Sequence, residues 1–249
     1  MLKIAYHPSY KYSLPEGHRF PMAKYNLLPE YLLKHNICTK ENFFQPEKIS
    51  AEIITKVHTQ DYYNRLLKLE LDKKEIRKIG FPLRADLVDR GYYIIGGTIK
   101  GCEHALKNGV SLNIAGGTHH AYADRGEAFC LLNDQAVAAQ YLLDAGKPSK
   151  ILIVDLDVHQ GNGTAKIFEN EPRVFTFSMH GAKNYPFKKE KSDLDIGLDD
   201  GTGDEEYLSV LKNTLPMLLK KVQPDFIFYL SGVDILKGDK LGRLACTLE

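Results

Sequence analysis

Two aspartates and a histidine at alternate positions, Asp155, Asp157 and His159, follow four aliphatic residues in the segment ILIVDLDVHQGNG, 151–163. The aliphatic run reads as buried strand, and an isolated carboxylate at the end of a buried strand costs several kcal/mol unless something neutralises it. A bound cation would do so. If the chain stays extended through 159, Asp157 and His159 share one side and Asp155 lies behind them. A third acid, Asp234, follows the apolar run DFIFYLS at 225–231. Two carboxylates and one imidazole leave a coordination position open for water, as a catalytic Zn2+ requires. Fe2+ or Mn2+ would accept the same donors. The plainer alternative is that Asp155 or Asp157 caps the following turn while His159 packs. The combination, with Gly161 and Gly163 allowing close backbone approach, favours the metal.

A second cluster suits proton transfer. The run VSLNIA, 110–115, leads into GGTHH, which sets His119 and His120 just past another strand. A histidine titrating near neutrality takes a proton from an attacking water and returns it to a leaving amine. An acidic partner would fix each ring's tautomer. Two adjacent histidines alone are weak evidence, since such a pair also suits a solvent-facing loop. In GEAFCLLND, 126–134, Phe129 stands just before a helix with Asn133 at its cap. An aromatic there suits the wall of a narrow apolar channel for a long alkyl chain, and equally suits a core.

Such residues need a scaffold that gathers strand ends. The runs at 2–6, 110–115, 151–157, 174–178 and 225–231 lack polar alternation, so they suit a sheet covered on both faces. Between them, helical punctuation marks 91–107, 134–145, 164–170 and 204–222, with Pro216 expected to kink or split the last. Strands alternating with helices predict an α/β fold, three layers α/β/α around a mainly parallel central sheet. In open α/β sheets ligands bind beyond the carboxyl ends of the strands, where these motifs fall. The polar stretch 181–203 is long for a plain connection and reads as a solvated loop or a rim, with Tyr185 and Pro186 as candidate rim residues.

The 249 residues suit one large domain, 1–249, with no visible linker. A net charge of +1, from 33 basic and 32 acidic residues, gives no strong field for nucleic acid or membrane. No apolar run approaches the roughly 20 residues of a membrane span, and the N-terminus lacks a signal-peptide core, which points to a soluble cytoplasmic protein. Cys38, Cys102, Cys130 and Cys246 have no CxxC spacing, against a disulfide framework or a thiolate zinc site. Nothing in the sequence indicates the oligomeric state.

With these residues assembled, the chain closely resembles the histone deacetylase superfamily, of the arginase/deacetylase fold, and most of all its bacterial and class IV branch. The motifs, in family order, are HPSYKYSLPEGHRFPMAKY, NIAGGTHHAYADRGEAFCLLND, ILIVDLDVHQGNGT, TFSMH and GVDILKGDKLGRL. The resemblance implies a zinc-dependent deacylase acting on an acylated lysine peptide or an acylated small amine. It implies Asp157, His159 and Asp234 as metal ligands, His120 as general base and acid, and His119 as its electrostatic partner with Asp155 behind. Phe129 matches an aromatic wall of the acyl-lysine tunnel, and Gly117 and Tyr185 join it as candidate substrate contacts. A K+ ion is implied at backbone carbonyls of Asp155, Asp157, His159 and Ser178.

Three departures stand out. Gln160 replaces a second histidine, which should affect only the groups behind the ligands. Asn162 replaces an aspartate paired to the second catalytic histidine, and an amide orients that ring without stabilising its cation as well. Third, the chain ends at LACTLE, expected to lie within a helix without a C-cap, before the glycine-rich motif that carries an oxyanion-binding tyrosine in the family. The expectation is a fragment or a protein without that donor, whose removal typically costs on the order of 10² to 10³ in rate. Two rival readings remain: an arginase-like ureohydrolase with two metals, and a module that binds acyl-lysine or acylated polyamine without turnover.

Overall fold

The computed structural model describes residues 1–146 and 148–248, within which the chain forms two compact units, Met1–Leu142 and Leu143–Glu249. In the first, strands β1 (Lys3–Ala5), β2 (Phe43–Phe44) and β3 (Ser111–Asn113) form a parallel ladder in the order β2-β1-β3. Its helices are α1 (Lys24–Lys34), α2 (Ala51–Ile54), α3 (Gln60–Leu67), α4 (Lys73–Ile79), α5 (Ala85–Asn108) and α6 (Asp134–Asp144), the last running on to the boundary. Local chemistry sets several of these ends. Asp72 accepts hydrogen bonds from the backbone N–H of Lys74 and Glu75, and Glu75 reaches back to the Asp72 N–H, a capping box that starts α4. The apolar side of α5 buries Leu87, Ile94, Ile95 and Ile99 in this unit's core.

The second unit carries β4 (Ile151–Asp155), β5 (Val174–Gly181), β6 (Leu194–Leu198) and β7 (Phe226–Leu230), with α7 (Asn162–Phe168) and α8 (Asp204–Val222). The order is β6-β5-β4-β7, every pair parallel. Flanked on both edges, β4 is buried throughout, as an unbroken aliphatic run should be. Its last residue, Asp155, lies opposite Ser178 of β5 and Leu230 of β7, so three strand ends meet at one level. Leu152, Val154, Leu156 and Val158 join Phe177, Met179, Leu218 and Val222 in this unit's core. In α8, Asp204, Glu205 and Glu206 open the helix and Lys220 and Lys221 close it, complementing its dipole.

The parallel α/β reading holds, with differences in detail. Helix α5 starts at Ala85, before the expected 91, and α8 runs through Pro216 without splitting. The stretch 181–203 is not all loop, because it contains β6. Strand β7 is not covered on both faces: Ile227 and Tyr229 are exposed. The helix expected near residue 249 is absent among the described residues; instead Cys246 bridges to Leu236 and donates its N–H to the Ile235 carbonyl. No helix among the described residues is long and apolar enough to cross a membrane.

Candidate functional site

Strand β4 ends at Asp155, and the next residues bend instead of staying extended to 159. Asp155 Oδ1 accepts the Asp157 N–H at 3.1 Å, and Asp157 Oδ1 accepts the His159 N–H at 2.9 Å. The carboxylates therefore do cap the turn, and capping proves compatible with convergence. Leu156 and Val158 point into the core, which leaves Asp157 and His159 half-buried between them. Asp234 arrives just past β7 and ties into the same turn, its Oδ1 accepting the Val158 N–H at 3.0 Å. His159 Nδ1 then lies 2.9 Å from Asp157 Oδ1 and 3.1 Å from Asp234 Oδ2. One ligand atom from each of the three residues falls within 4.8 Å of the others. The approach depends on Gly232, where an added Cβ would sit 2.5 Å from Asp157 Cα.

Burial alone would depress the His159 pKa, but the hydrogen bonds to Asp157 and Asp234 outweigh it and hold the imidazole up to about 10. Two carboxylates thus converge on one half-buried imidazole. The donor set, two oxygens and one imidazole nitrogen, fits a divalent cation of borderline hardness such as Zn2+ or Fe2+.

Around this triad, Ser178 is buried with its Oγ 2.9 Å from His180 Nδ1, and Asn162 opens α7, also buried. Gln160 does more than expected. Its Nε2 donates to the Glu190 carbonyl at 2.8 Å and to Asp195 Oδ1 at 2.7 Å, and its Oε1 accepts the Glu190 N–H at 2.9 Å. A fully buried amide thereby ties the 181–203 segment to the turn that carries Asp157 and His159. Tyr185 meets Phe187 edge-on at 6.4 Å, and Phe187 is 89% exposed.

In the first unit, His119 and His120 are buried with ring centroids 4.1 Å apart and planes at 48°. The turn before them rests on Asp134, whose Oδ1 accepts from Gly117 N (3.0 Å), Thr118 N (2.8 Å) and Thr118 Oγ1 (2.6 Å), and whose Oδ2 accepts from Thr98 Oγ1 (2.6 Å). Gly117, a candidate substrate contact, thus directs its N–H to Asp134. Asn133 donates from Nδ2 to the Ala121 carbonyl (3.2 Å), accepts the Ala136 N–H (3.0 Å), and donates its own N–H to His58 Nε2 (3.0 Å). Only the capping role of Asn133 was legible in the sequence.

Phe129 is presented by two consecutive left-handed residues, Ala128 at φ 42° and Phe129 at φ 67°. Their N–H groups donate to the carbonyls of Lys78 (2.9 Å) and Ile79 (2.6 Å). The ring packs 5.1 Å from both Phe20 and Phe81, with the Arg19 guanidinium 5.1 Å from its centroid. With Thr118, Ile94, Leu131 and Leu132 it lines a small apolar cavity in this unit.

Comparison with known proteins is consistent with the motifs. The model of the histone deacetylase domain matches residues 18–249. An uncharacterised protein of Picosynechococcus is 46% identical over 98% of this chain and 81% of its own length. Histone deacetylase 2 of Arabidopsis thaliana is 29% identical over 98% of this chain, which spans 66% of that relative. Two crystal structures of histone deacetylase homologs, one from Aquifex aeolicus and one complexed with SAHA, superpose with TM-scores of 0.87 at 25% identity, covering 98% of this chain and 72% of theirs.

Proposed function

This chain belongs to the histone deacetylase family, and on that ground we propose that it is a metal-dependent deacylase hydrolysing the amide of an N-acetyl or N-acyl lysine, or of a related acylated amine. The observation that carries the reading is the convergence of Asp157, His159 and Asp234 within 4.8 Å. We read both units as parts of one catalytic domain, because the family match runs through both. When bound, the ion supplies Lewis-acid polarisation of the acyl carbonyl and of the attacking water. Zn2+ is the proposed ion. His120 takes the proton as water oxygen bonds to the acyl carbon, and returns it to the amine nitrogen as the C–N bond breaks, giving a carboxylate and an amine. His119, Asp155 and Asn162 are assigned to steadying that transfer, and Phe129 and Gly117 to the substrate, on the motif match; Tyr185 is assigned to the substrate as a rim residue of the 181–203 segment. A K+ ion at the carbonyls of Asp155, Asp157, His159 and Ser178 belongs to the same reading, supported by the register that sets Asp155 against Ser178.

The test loads the protein with zinc and measures metal content, SAHA binding and amine release from an acetyl-lysine peptide. The proposal expects one ion per chain, lost in Asp157→Ala and Asp234→Ala together with amine release. Metal uptake unchanged in either variant overturns the ligand assignment. Tight binding of the acylated peptide without amine release would identify a binding module instead. Release of urea from a guanidinium substrate would identify a ureohydrolase, a reading disfavoured by the single candidate cluster among the described residues.

A further inference from the structure

We propose that Asn133 and Asp134 are positioning residues that clamp the backbone on both sides of His119 and His120, an inference that rests on the proton-transfer role proposed for that pair. On the N-terminal side, one oxygen of Asp134 gathers Gly117 N, Thr118 N and Thr118 Oγ1. On the C-terminal side, Asn133 Nδ2 holds the Ala121 carbonyl. The two histidines are the only residues between these anchor points. The clamp is itself fixed: the Asn133 N–H is held by His58, and Thr98, which bonds Asp134 Oδ2, receives Asn113 Nδ2 at 2.8 Å. At Gly116 the backbone passes so close that an added Cβ would lie 2.9 Å from Asp134 Oδ2.

A carboxylate only 1% exposed is costly to bury, and here neutral donors surround it. Its use follows from geometry, because a single carboxylate oxygen accepts several converging donors that no apolar side chain could order. Fixing the chain immediately before and after two rigid rings restricts where their nitrogens lie, and misplacement by about 1 Å can cost on the order of 10²-fold in rate.

The substitution Asp134→Asn separates position from charge. Its amide oxygen keeps the three donors, and Thr98 can accept from the new amide while turning its hydrogen to the Ile94 carbonyl, already 3.2 Å away. Asp134→Ala removes every acceptor. Asn133→Ser keeps a cap on α6 but loses the bond to Ala121.

The experiment measures kcat, KM, metal content and amide hydrogen exchange on the zinc-loaded chain. Asp134→Ala is expected to lower kcat about 100-fold with KM within about twofold and metal content unchanged, and Asn133→Ser to lower kcat about 10-fold. Asp134→Asn should recover most of the loss, and exchange at Gly117 and Thr118 should quicken at least about 10-fold in Asp134→Ala while α5 stays protected. A folded Asp134→Ala with wild-type kcat overturns the proposal, as does an Asp134→Asn as inactive as Asp134→Ala. If Asp134→Ala does not fold, Asn133→Ser and Thr118→Val decide, and unchanged kcat in both refutes the clamp. If the wild type itself releases no amine, the deacylase reading has failed, and exchange at Gly117 and Thr118 alone decides whether the clamp exists.

Discussion

Among the groups through which acidification should weaken this protein, the buried His58 is the one whose share can be isolated. The ring is 1% exposed, and because Nε2 accepts the Asn133 N–H at 3.0 Å, the neutral imidazole carries its proton on Nδ1. That nitrogen faces the carbonyls of Ala123 and Tyr122 without a well-aligned hydrogen bond. Burial holds the pKa down to about 4, against 6.5 for an exposed histidine. As pH falls, the unfolded chain takes up this proton near 6.5 while the folded protein resists until about 4. The stability conferred is complete above the higher value and is lost progressively down to the lower one. From 6.5 to about 4, at about 1.4 kcal/mol per pH unit, the loss is on the order of 3 kcal/mol. Urea unfolding of the wild type and His58→Gln, at pH values spanning that interval, measures it. Glutamine's amide oxygen can still accept the Asn133 N–H, and groups titrating in both proteins cancel in the difference. The wild type should lose its advantage over the variant as pH falls. A gap constant within about 0.5 kcal/mol over the whole interval would show that His58 titrates normally and refute the reasoning. The same protonation would set an Nε2–H against the Asn133 N–H and loosen the start of α6.

Two further substitutions probe the metal side. Gly232→Ala would place a Cβ 2.5 Å from Asp157 Cα, so the end of β7 must move away. Metal affinity, measured by chelator competition, should fall at least about 10-fold, and an unchanged affinity would show that the turn adapts freely. Gln160→Leu removes three hydrogen bonds and leaves the Glu190 N–H without its acceptor. Unfolding free energy should drop by about 2 kcal/mol, and trypsin should cut faster among Lys188, Lys189 and Lys191. An unchanged cutting rate would mean that the segment is held elsewhere.

The convergence of Asp157, His159 and Asp234 was legible because its signal is local: an aliphatic run ending in alternating acids and a histidine, and a second run ending in an aspartate. What the pattern could not give was the bend after Asp155, in which capping and convergence coexist. Strand β6 escaped notice because LDIGL alternates, as an edge strand does, inside a stretch rich in charge. Helices α1 to α4 span 4 to 11 residues and bury one to three residues each, so periodicity gave little warning. The leucines of LGRLACTL suggested a helix, but tertiary bonds prevail: Ala245 donates to the Thr202 carbonyl and Cys246 to that of Ile235. The partners of Asp134 lie 16, 17 and 36 positions earlier in the chain, a separation that no local pattern encodes.

The segment that presents Phe129 should loosen before the rest of the fold. Two adjacent non-glycine residues in left-handed conformations each cost about 1 kcal/mol or more, so the segment lies uphill wherever its anchors are missing. Those anchors are two carbonyls at the end of α4, a seven-residue helix. Short helices fray before sheets open, and a segment held against its own preference relaxes as soon as they do. On warming, the fixed placement of the Phe129 ring should therefore fade at a temperature where circular dichroism still reports a folded protein, and any recognition that uses this ring would have its ceiling below the ceiling for folding.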